Sequence, residues 1–85
     1  MNSRLHRGMI KKEIGAELRR MRVEHGLTQE ALSHNADISI SFLKKLEAGN
    51  KQPSALTLFK LSRALETTPD KLILPTYQKW LEAEG

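Results

Sequence analysis

Apolar residues recur at helical spacing along most of this chain, and no stretch alternates apolar and polar residues as a strand does. A first helix is predicted from Met9 to His25, and Gly26 is a natural stop after it. The apolar positions predicted to form one shared core are Ile14, Leu18, Met21, Leu32, Ala36, Ile38, Leu43, Leu46, Leu58, Leu61, Ala64, Leu65, Leu72 and Ile73. The pattern therefore predicts an all-α fold.

The central segment, residues 27–53, contains two short amphipathic stretches joined by about three residues. Thr28 precedes the first stretch and Ser39 the second, and a hydroxyl at either position can accept a hydrogen bond from the first helical turn. Gly49 suits the left-handed conformation that closes the second helix. The outward side of that helix carries Ile40, Ser41, Lys44 and Lys45. Two crossed helices with a tight turn and a basic outer face are typical of a helix-turn-helix.

The C-terminal third is predicted to form a fourth helix capped by Ser54 and a short fifth helix that begins at Thr68-Pro69. Pro75 is expected to end the fifth helix, which leaves residues 75–85 as a tail or a short additional helix. An apolar face of that tail would comprise Ile73, Tyr77, Trp80 and Leu81. This face either packs on its own core or covers a second chain, and we favour a homodimer; binding to a different protein is the alternative.

The charge of the chain is concentrated at its N-terminal end. Residues 1–26 hold seven Lys or Arg against three Glu, whereas the rest of the chain is balanced, so the net charge of +4 arises there. A basic surface favours polyanions because phosphate neutralisation releases counterions, although a merely solvated surface would look the same. Residues 1–8 have no helical periodicity and are expected to form a flexible basic arm ahead of a domain at 9–74, with Arg4 and Arg7 able to reach DNA.

Other classes of protein are disfavoured by the composition. The chain has no cysteine, so it has neither disulfides nor a Cys-ligated zinc site. No apolar run is long enough to span a membrane and the N-terminus does not resemble a signal peptide, so we expect a cytoplasmic protein. The histidines lack metal-ligand spacing, and no catalytic triad, carboxylate pair or Gly-rich phosphate loop is present. We expect no enzyme activity, no metal and no cofactor.

Arg22 lies beside the buried stripe of the first helix rather than opposite it. Because a buried unpaired charge is very costly, its guanidinium needs an ionic partner or a path to solvent. Glu47, one residue after the core position Leu46, is the best candidate. We predict an Arg22–Glu47 ion pair.

Three motifs occur in order: L-T-Q-E-x-L at 27–32, E-x-G-x-x-x-P-S at 47–54 and A-L-x-x-x-x-D-x-L at 64–72. With them, residues 14–74 resemble the helix-turn-helix domain of the lambda repressor and Cro type, the XRE family. The resemblance implies a compact five-helix bundle whose third helix enters the major groove of DNA. The chain departs from the family at the turn, where Asp37 replaces the usual glycine, and in the second helix, where Ser33 replaces alanine.

The resemblance also implies roles for individual positions. Base contacts would come from Ile40, Ser41, Lys44 and Lys45 on the third helix. Phosphate contacts would come from Thr28, Gln29, Ser39, Asn50, Lys51 and Gln52, and Gln29 would also brace a side chain of the third helix. Arg22 and Glu47 match an ion pair of the family.

The functional hypothesis is a sequence-specific regulator of transcription that binds double-stranded DNA. A repressor acting as a homodimer on a palindromic operator is favoured, with half-sites about one helical turn (~34 Å) apart. The alternative hypothesis is a DNA-binding antitoxin that neutralises a protein toxin and represses its own operon.

Overall fold

The computed structural model describes residues 3–84, with side chains from residue 8 onward. These residues form five α-helices and no strand: α1 (Ser3–Glu24), α2 (Gln29–Ala36), α3 (Ile40–Glu47), α4 (Ala55–Ala64) and α5 (Pro69–Glu84). The long helices α1 and α5 pack side by side, α3 lies against α1, and α2 contacts both α3 and α4. The predicted all-α, five-helix fold with a helix-turn-helix at α2 and α3 is confirmed.

The core draws apolar side chains from all five helices or the residues that close them. Its buried members are Ile14, Leu18, Met21, Leu32, Ala36, Leu43, Leu46, Leu61, Leu65 and Leu72. Ile38, Leu58, Ala64 and Ile73 were also predicted to be core residues, and they are partly buried against it. Each helix turns its apolar stripe towards this shared core and its polar side towards solvent.

Three helices begin at the hydroxyl residues that the sequence marks as caps. The side-chain oxygens of Thr28, Ser39 and Ser54 each accept a hydrogen bond from the backbone N–H three residues later, over 3.0–3.1 Å. These bonds satisfy N–H groups that have no partner inside the helix. The starts of α2, α3 and α4 therefore follow directly from local sequence.

The first four helices all end in the same way. The residue after each helix or its last turn has a positive φ: Gly26 (66°), Asp37 (56°), Gly49 (77°) and Glu66 (53°). In each case the N–H of the following residue bonds to the carbonyl five residues before it. This is the Schellman arrangement, which usually employs glycine because it has no Cβ. At the helix-turn-helix Asp37 adopts that conformation, so the turn forms here without a glycine.

The start of α1 differs from the prediction. The helix begins at Ser3, six residues before the expected start at Met9, so the residues from Ser3 to Gly8 are helical rather than a flexible arm. No proline interrupts this stretch, and extending an existing helix by one residue costs much less than starting one. Met1 and Asn2 lie outside the described residues, as do the side chains of Arg4 and Arg7.

The C-terminal end also differs, because α5 continues through Pro75 to Glu84 instead of ending there. Proline inside a helix loses one hydrogen bond and costs about 3 kcal/mol. Packing against α1 offsets this cost: Thr76 is buried and Trp80 is half-buried beside α1. Farther along, Lys79 donates to Glu13 over 2.6 Å, and this hydrogen bond raises the pKa of Lys79 above its usual value. The tail is therefore the second half of α5.

Candidate nucleic-acid interface

Arg22 and Glu47 form a two-pronged ion pair between α1 and α3. The guanidinium donates from Nε to Oε2 over 2.7 Å and from Nη2 to Oε1 over 3.0 Å. Its Nη1 donates to the carbonyl of Leu27, 2.8 Å away. The side chains are only 12% and 4% exposed, respectively, so neither charge is left to water. The predicted ion pair is confirmed, and its planar geometry is one that arginine provides and lysine does not.

Gln29 extends this network to α2. Its side-chain amide donates to Oε1 of Glu47 over 3.2 Å, which matches the bracing role that the family resemblance implied. The first residue of α2 is therefore tied to the last residue of α3, and α3 is tied to the last turn of α1. These bonds fix the position of the helix-turn-helix on α1. They lie outside the apolar core, on the polar side of the contact between α1 and α3.

The outer face of α3 carries the residues predicted to contact bases. Ser41, Lys44 and Lys45 are exposed, and Ile40 is half-buried. Within residues 8–84, no carboxylate forms an ion pair with Lys44 or Lys45. This surface is therefore positively charged and available to an external anion.

The residues predicted to contact phosphate lie at the margins of the helix-turn-helix. Asn50, Lys51 and Gln52 are exposed in the loop after α3. The hydroxyls of Thr28 and Ser39 accept cap hydrogen bonds, which leaves the O–H of each free to donate to a phosphate oxygen. Gln29 is half-buried and donates one amide hydrogen to Glu47, so its second amide hydrogen remains available.

Two basic residues of α1 join this surface and were not predicted to do so. Arg19 and Lys44 line the same polar pocket, of about 340 Å³, beside Gln29 and the ion pair. Lys12 packs against Gly49: a Cβ at that glycine would lie 3.0 Å from the Cα and Cγ of Lys12. The sequence spacing could have identified these two residues, because positions 12, 15, 19 and 22 lie along one side of α1, the side that faces α3.

Three basic side chains elsewhere are paired with carboxylates. Arg20 binds Glu17 and Glu24 on α1. Lys79 pairs with Glu13, and Lys60 lies 3.8 Å from a carboxylate oxygen of Asp37. Lys12, Arg19, Lys44, Lys45 and Lys51 form no ion pair and lie on or beside α3, so unpaired positive charge is concentrated there; Lys11, Arg63 and Lys71 are the other unpaired cations within residues 8–84.

The predicted C-terminal apolar face is divided by the structure. Ile73 and Trp80 turn towards α1 and line an apolar pocket, and Tyr77 stacks on Trp80 with ring centroids 6.2 Å apart. Tyr77 and Leu81 are about half exposed, and so is their neighbour Leu74. The face therefore packs partly on its own chain and remains partly open.

Two further properties limit the chemistry of the described region. No group of three His, Cys, Asp or Glu side chains in it is arranged to hold a metal ion. A membrane-spanning helix is also absent from these residues, since none of the five combines sufficient length with sufficient apolar character. The interface described above offers charge and hydrogen-bond donors for binding.

Comparisons with known proteins agree with this geometry. The helix-turn-helix family HTH_3 matches residues 18–72. The transcriptional regulator y4dJ of Sinorhizobium fredii is 36% identical over 67 residues, which cover 79% of this chain and 87% of that protein.

Two solved structures are similar in fold. The restriction-modification controller protein C.AhdI of Aeromonas hydrophila has a TM-score of 0.70 and 31% identity, over 72% of this chain and 92% of its own. The clp gene regulator ClgR of Corynebacterium glutamicum has a TM-score of 0.77 and 26% identity, over 88% of this chain and 81% of its own. These relatives are regulators rather than enzymes, and none of the three is named as an antitoxin. The chain therefore belongs to the HTH_3 (XRE-type) helix-turn-helix family of DNA-binding transcriptional regulators.

Proposed function

We propose that this protein is a sequence-specific repressor that binds a palindromic operator as a homodimer. The observation that supports it is the outer face of α3, where exposed Lys44 and Lys45 have no acidic partner in the described region. Helix α3 would enter the major groove and exclude polymerase from an overlapping promoter. Because its target is DNA, we place the protein in the bacterial cytoplasm with the nucleoid.

Direct contacts with bases would come from the four outward positions of α3. Lys44 and Lys45 can donate to O6 and N7 of guanine or to phosphate. Ser41 can donate to a base or to the backbone. Ile40 is half-buried, so its remaining apolar surface suits a thymine methyl group.

Contacts with phosphate would hold α3 in register. The proposed donors are the side chains of Thr28, Gln29, Ser39, Asn50, Lys51 and Gln52, with the N-terminus of α2 adding its free N–H groups. We add Lys12 and Arg19 of α1, because they lie against the loop and the pocket that adjoin α3.

For the homodimer, we propose the open part of the C-terminal face. Tyr77 and Leu81 are exposed beside Leu74, and Ile73 and Trp80 lie next to them. Pairing two copies here would bury apolar surface that otherwise faces water. Sedimentation of the parent and of Leu81→Glu tests this interface, with Leu56→Glu on the exposed side of α4 as a matched control. We expect only Leu81→Glu to yield monomer; a monomer from Leu56→Glu alone would place the interface on α4.

The DNA-binding proposal is tested by selection from a library of genomic fragments, followed by titration of the selected sequence over a salt series. Lys44→Ala and Lys45→Ala are compared with Lys71→Ala, which removes the same charge from an exposed site on α5. We expect the parent to select a palindromic sequence. We also expect each α3 variant to lose about 5- to 150-fold in affinity if its lysine binds a base, since a good base contact is worth about 1–3 kcal/mol.

The pattern among the variants distinguishes the possible results. Equal, small losses in all three variants, with binding that is blind to sequence and steeply salt-dependent, would mean that charge alone attracts DNA. That result would contradict a specific operator. A circular-dichroism melt of each variant shows whether the fold is unchanged.

A further inference from the structure

An apolar pocket of about 330 Å³ lies between the N-terminal half of α1 and the middle of α5, and it is closed by residues of α4 and of the loop before α4. Its lining residues are Ile10, Ile14, Gln52, Pro53, Leu58, Ile73, Thr76, Tyr77 and Trp80. None of these side chains carries a charge. Pockets of this volume between the helices of a bundle are typical sites for small molecules.

Thr76 lines this pocket, and its side-chain oxygen has no hydrogen-bond partner. Thr76 is 4% exposed, and its Oγ1 makes no hydrogen bond within the described structure. The other buried hydroxyls are satisfied: Ser33 bonds to the carbonyl of Glu30, Ser62 bonds to that of Leu58, and Thr57 shares a hydrogen bond with Ser54. A buried hydroxyl without a partner is destabilising unless something supplies one. This oxygen is closed off from solvent, so a bound molecule would gain a hydrogen bond to it when Thr76 turns its hydroxyl into the pocket.

We propose that this pocket binds a small, uncharged, flat apolar molecule with one hydroxyl or carbonyl group, which pairs with Oγ1 of Thr76. The absence of charged lining residues disfavours an ionic ligand, because its charge would lose water without gaining a partner. The stacked rings of Tyr77 and Trp80 at one side of the pocket favour a planar, aromatic body.

Binding here would reach the DNA interface through Gln52. This residue lines the pocket, and it also belongs to the loop that we assign to phosphate contacts. A molecule in the pocket would change the position of Gln52, and therefore the affinity for DNA. By linkage, DNA must change the affinity for that molecule by the same factor. This second step depends on the proposed DNA-binding function, whereas the pocket itself does not.

The binding site is tested without DNA, by NMR titration of the ¹⁵N-labelled protein with 2-naphthol and with 2-methylnaphthalene. The two probes differ only in whether a hydroxyl or a methyl group is attached to the same rings. We expect amide shifts centred on the pocket and about five-fold tighter binding of 2-naphthol, since one hydrogen bond contributes about 1 kcal/mol.

Variants then assign the preference to one atom. In Thr76→Val the shape of the side chain is kept and the hydroxyl is lost, so the preference for 2-naphthol should disappear and 2-methylnaphthalene should bind at least as tightly. Ser33→Ala removes a buried hydroxyl that does not line the pocket, and it should keep the five-fold preference. Shifts outside the pocket, no binding, or a preference that survives Thr76→Val would each overturn the proposed site. Binding that weakens as protein concentration rises would show that a second copy of the chain fills the pocket instead.

The regulatory step is tested by measuring DNA affinity with and without saturating 2-naphthol, by fluorescence anisotropy of a labelled duplex. We expect at least a two-fold change for the parent, and for Thr76→Val the same change only at about five-fold higher probe concentration, since the lost hydrogen bond is worth about 1 kcal/mol. Probe binding with unchanged DNA affinity would overturn the link through Gln52 and leave the site standing. Probe binding by a chain that fails to bind DNA would remove the proposed function and this link together.

Discussion

Gly15 of α1 packs directly against the backbone carbonyl of Leu46 in α3. A Cβ at Gly15 would overlap the carbonyl oxygen of Leu46 and lie 2.9 Å from that of Glu47. Because the obstacle is backbone rather than a flexible side chain, it cannot move aside without shifting the helix. This glycine therefore sets the distance between α1 and α3, and with it the position of the surface that we assign to DNA.

Gly15→Ala should destabilise the protein although alanine favours helices. Overpacking costs about 1–3 kcal/mol, and the better helix propensity recovers only about 1 kcal/mol. Gly8→Ala is the matched control, since nothing lies within 4 Å of a Cβ at this exposed position of α1, and it should stabilise by about 1 kcal/mol. Urea denaturation measures both. Equal stabilisation by the two variants would show that α1 and α3 have room to separate.

Glu47→Ala should be among the most damaging single changes. The Arg22 side chain is only 12% exposed, and this substitution removes the carboxylate that pairs with its guanidinium. Removing one member of a buried pair costs about 3–5 kcal/mol. The comparison is Glu24→Ala, which removes one carboxylate from the exposed Arg20 group and should leave the free energy of unfolding nearly unchanged. Thermal and urea unfolding of both variants checks the difference. Similar losses would mean that Arg22 finds solvent when Glu47 is absent.

Asp37→Gly should stabilise the helix-turn-helix. Asp37 has φ 56°, and a residue with a Cβ is strained in this region by about 1–2 kcal/mol. Glycine removes this strain, but part of the gain is cancelled because glycine loses more chain entropy on folding. We expect a gain of about 0.5 kcal/mol, and a gain at least as large for Glu66→Gly, whose φ is 53°. Asp37→Ala removes the same charge and keeps the strain, so it should not stabilise. A gain from alanine would assign the effect to charge.

Pro75→Ala should stabilise α5 and raise its helicity. Alanine restores an N–H that can bond to the carbonyl of Lys71, and proline inside a helix costs about 3 kcal/mol. We expect a gain of about 1–3 kcal/mol, measured by circular-dichroism melting. Lost stability would show that the proline ring makes packing contacts that outweigh the missing hydrogen bond.

Much of the fold follows from local rules that act on a few residues. The hydroxyls of Thr28, Ser39 and Ser54 start helices where the sequence indicated, and Asp37 closes α2 in the conformation that aspartate tolerates. The Arg22–Glu47 pair was also accessible from sequence, because a charge beside an apolar stripe requires a partner.

The rest could not be predicted because it depends on contacts between distant segments. Pro75 breaks a helix by local rules, and only the packing of Thr76 and Trp80 on α1 keeps α5 continuous. Gly15 is merely a poor helix former by the same rules, and its contact with Leu46 is visible only when α3 is in place. Arg19 belongs to the stripe that faces α3, but identifying it required knowing that α1 and α3 are neighbours.

Trp80 is the only tryptophan in the chain, and its half-buried ring stacks on Tyr77 beside α1. Its emission therefore reports on the contact between α1 and α5, together with any molecule that binds at the pocket or the C-terminal face beside it. Substitutions on the outer face of α3 can be checked for an intact bundle by this signal, without any label. A spectral change on adding DNA would mean that DNA binding at α3 alters the α1–α5 junction, which lies on the other side of the loop that contains Gln52.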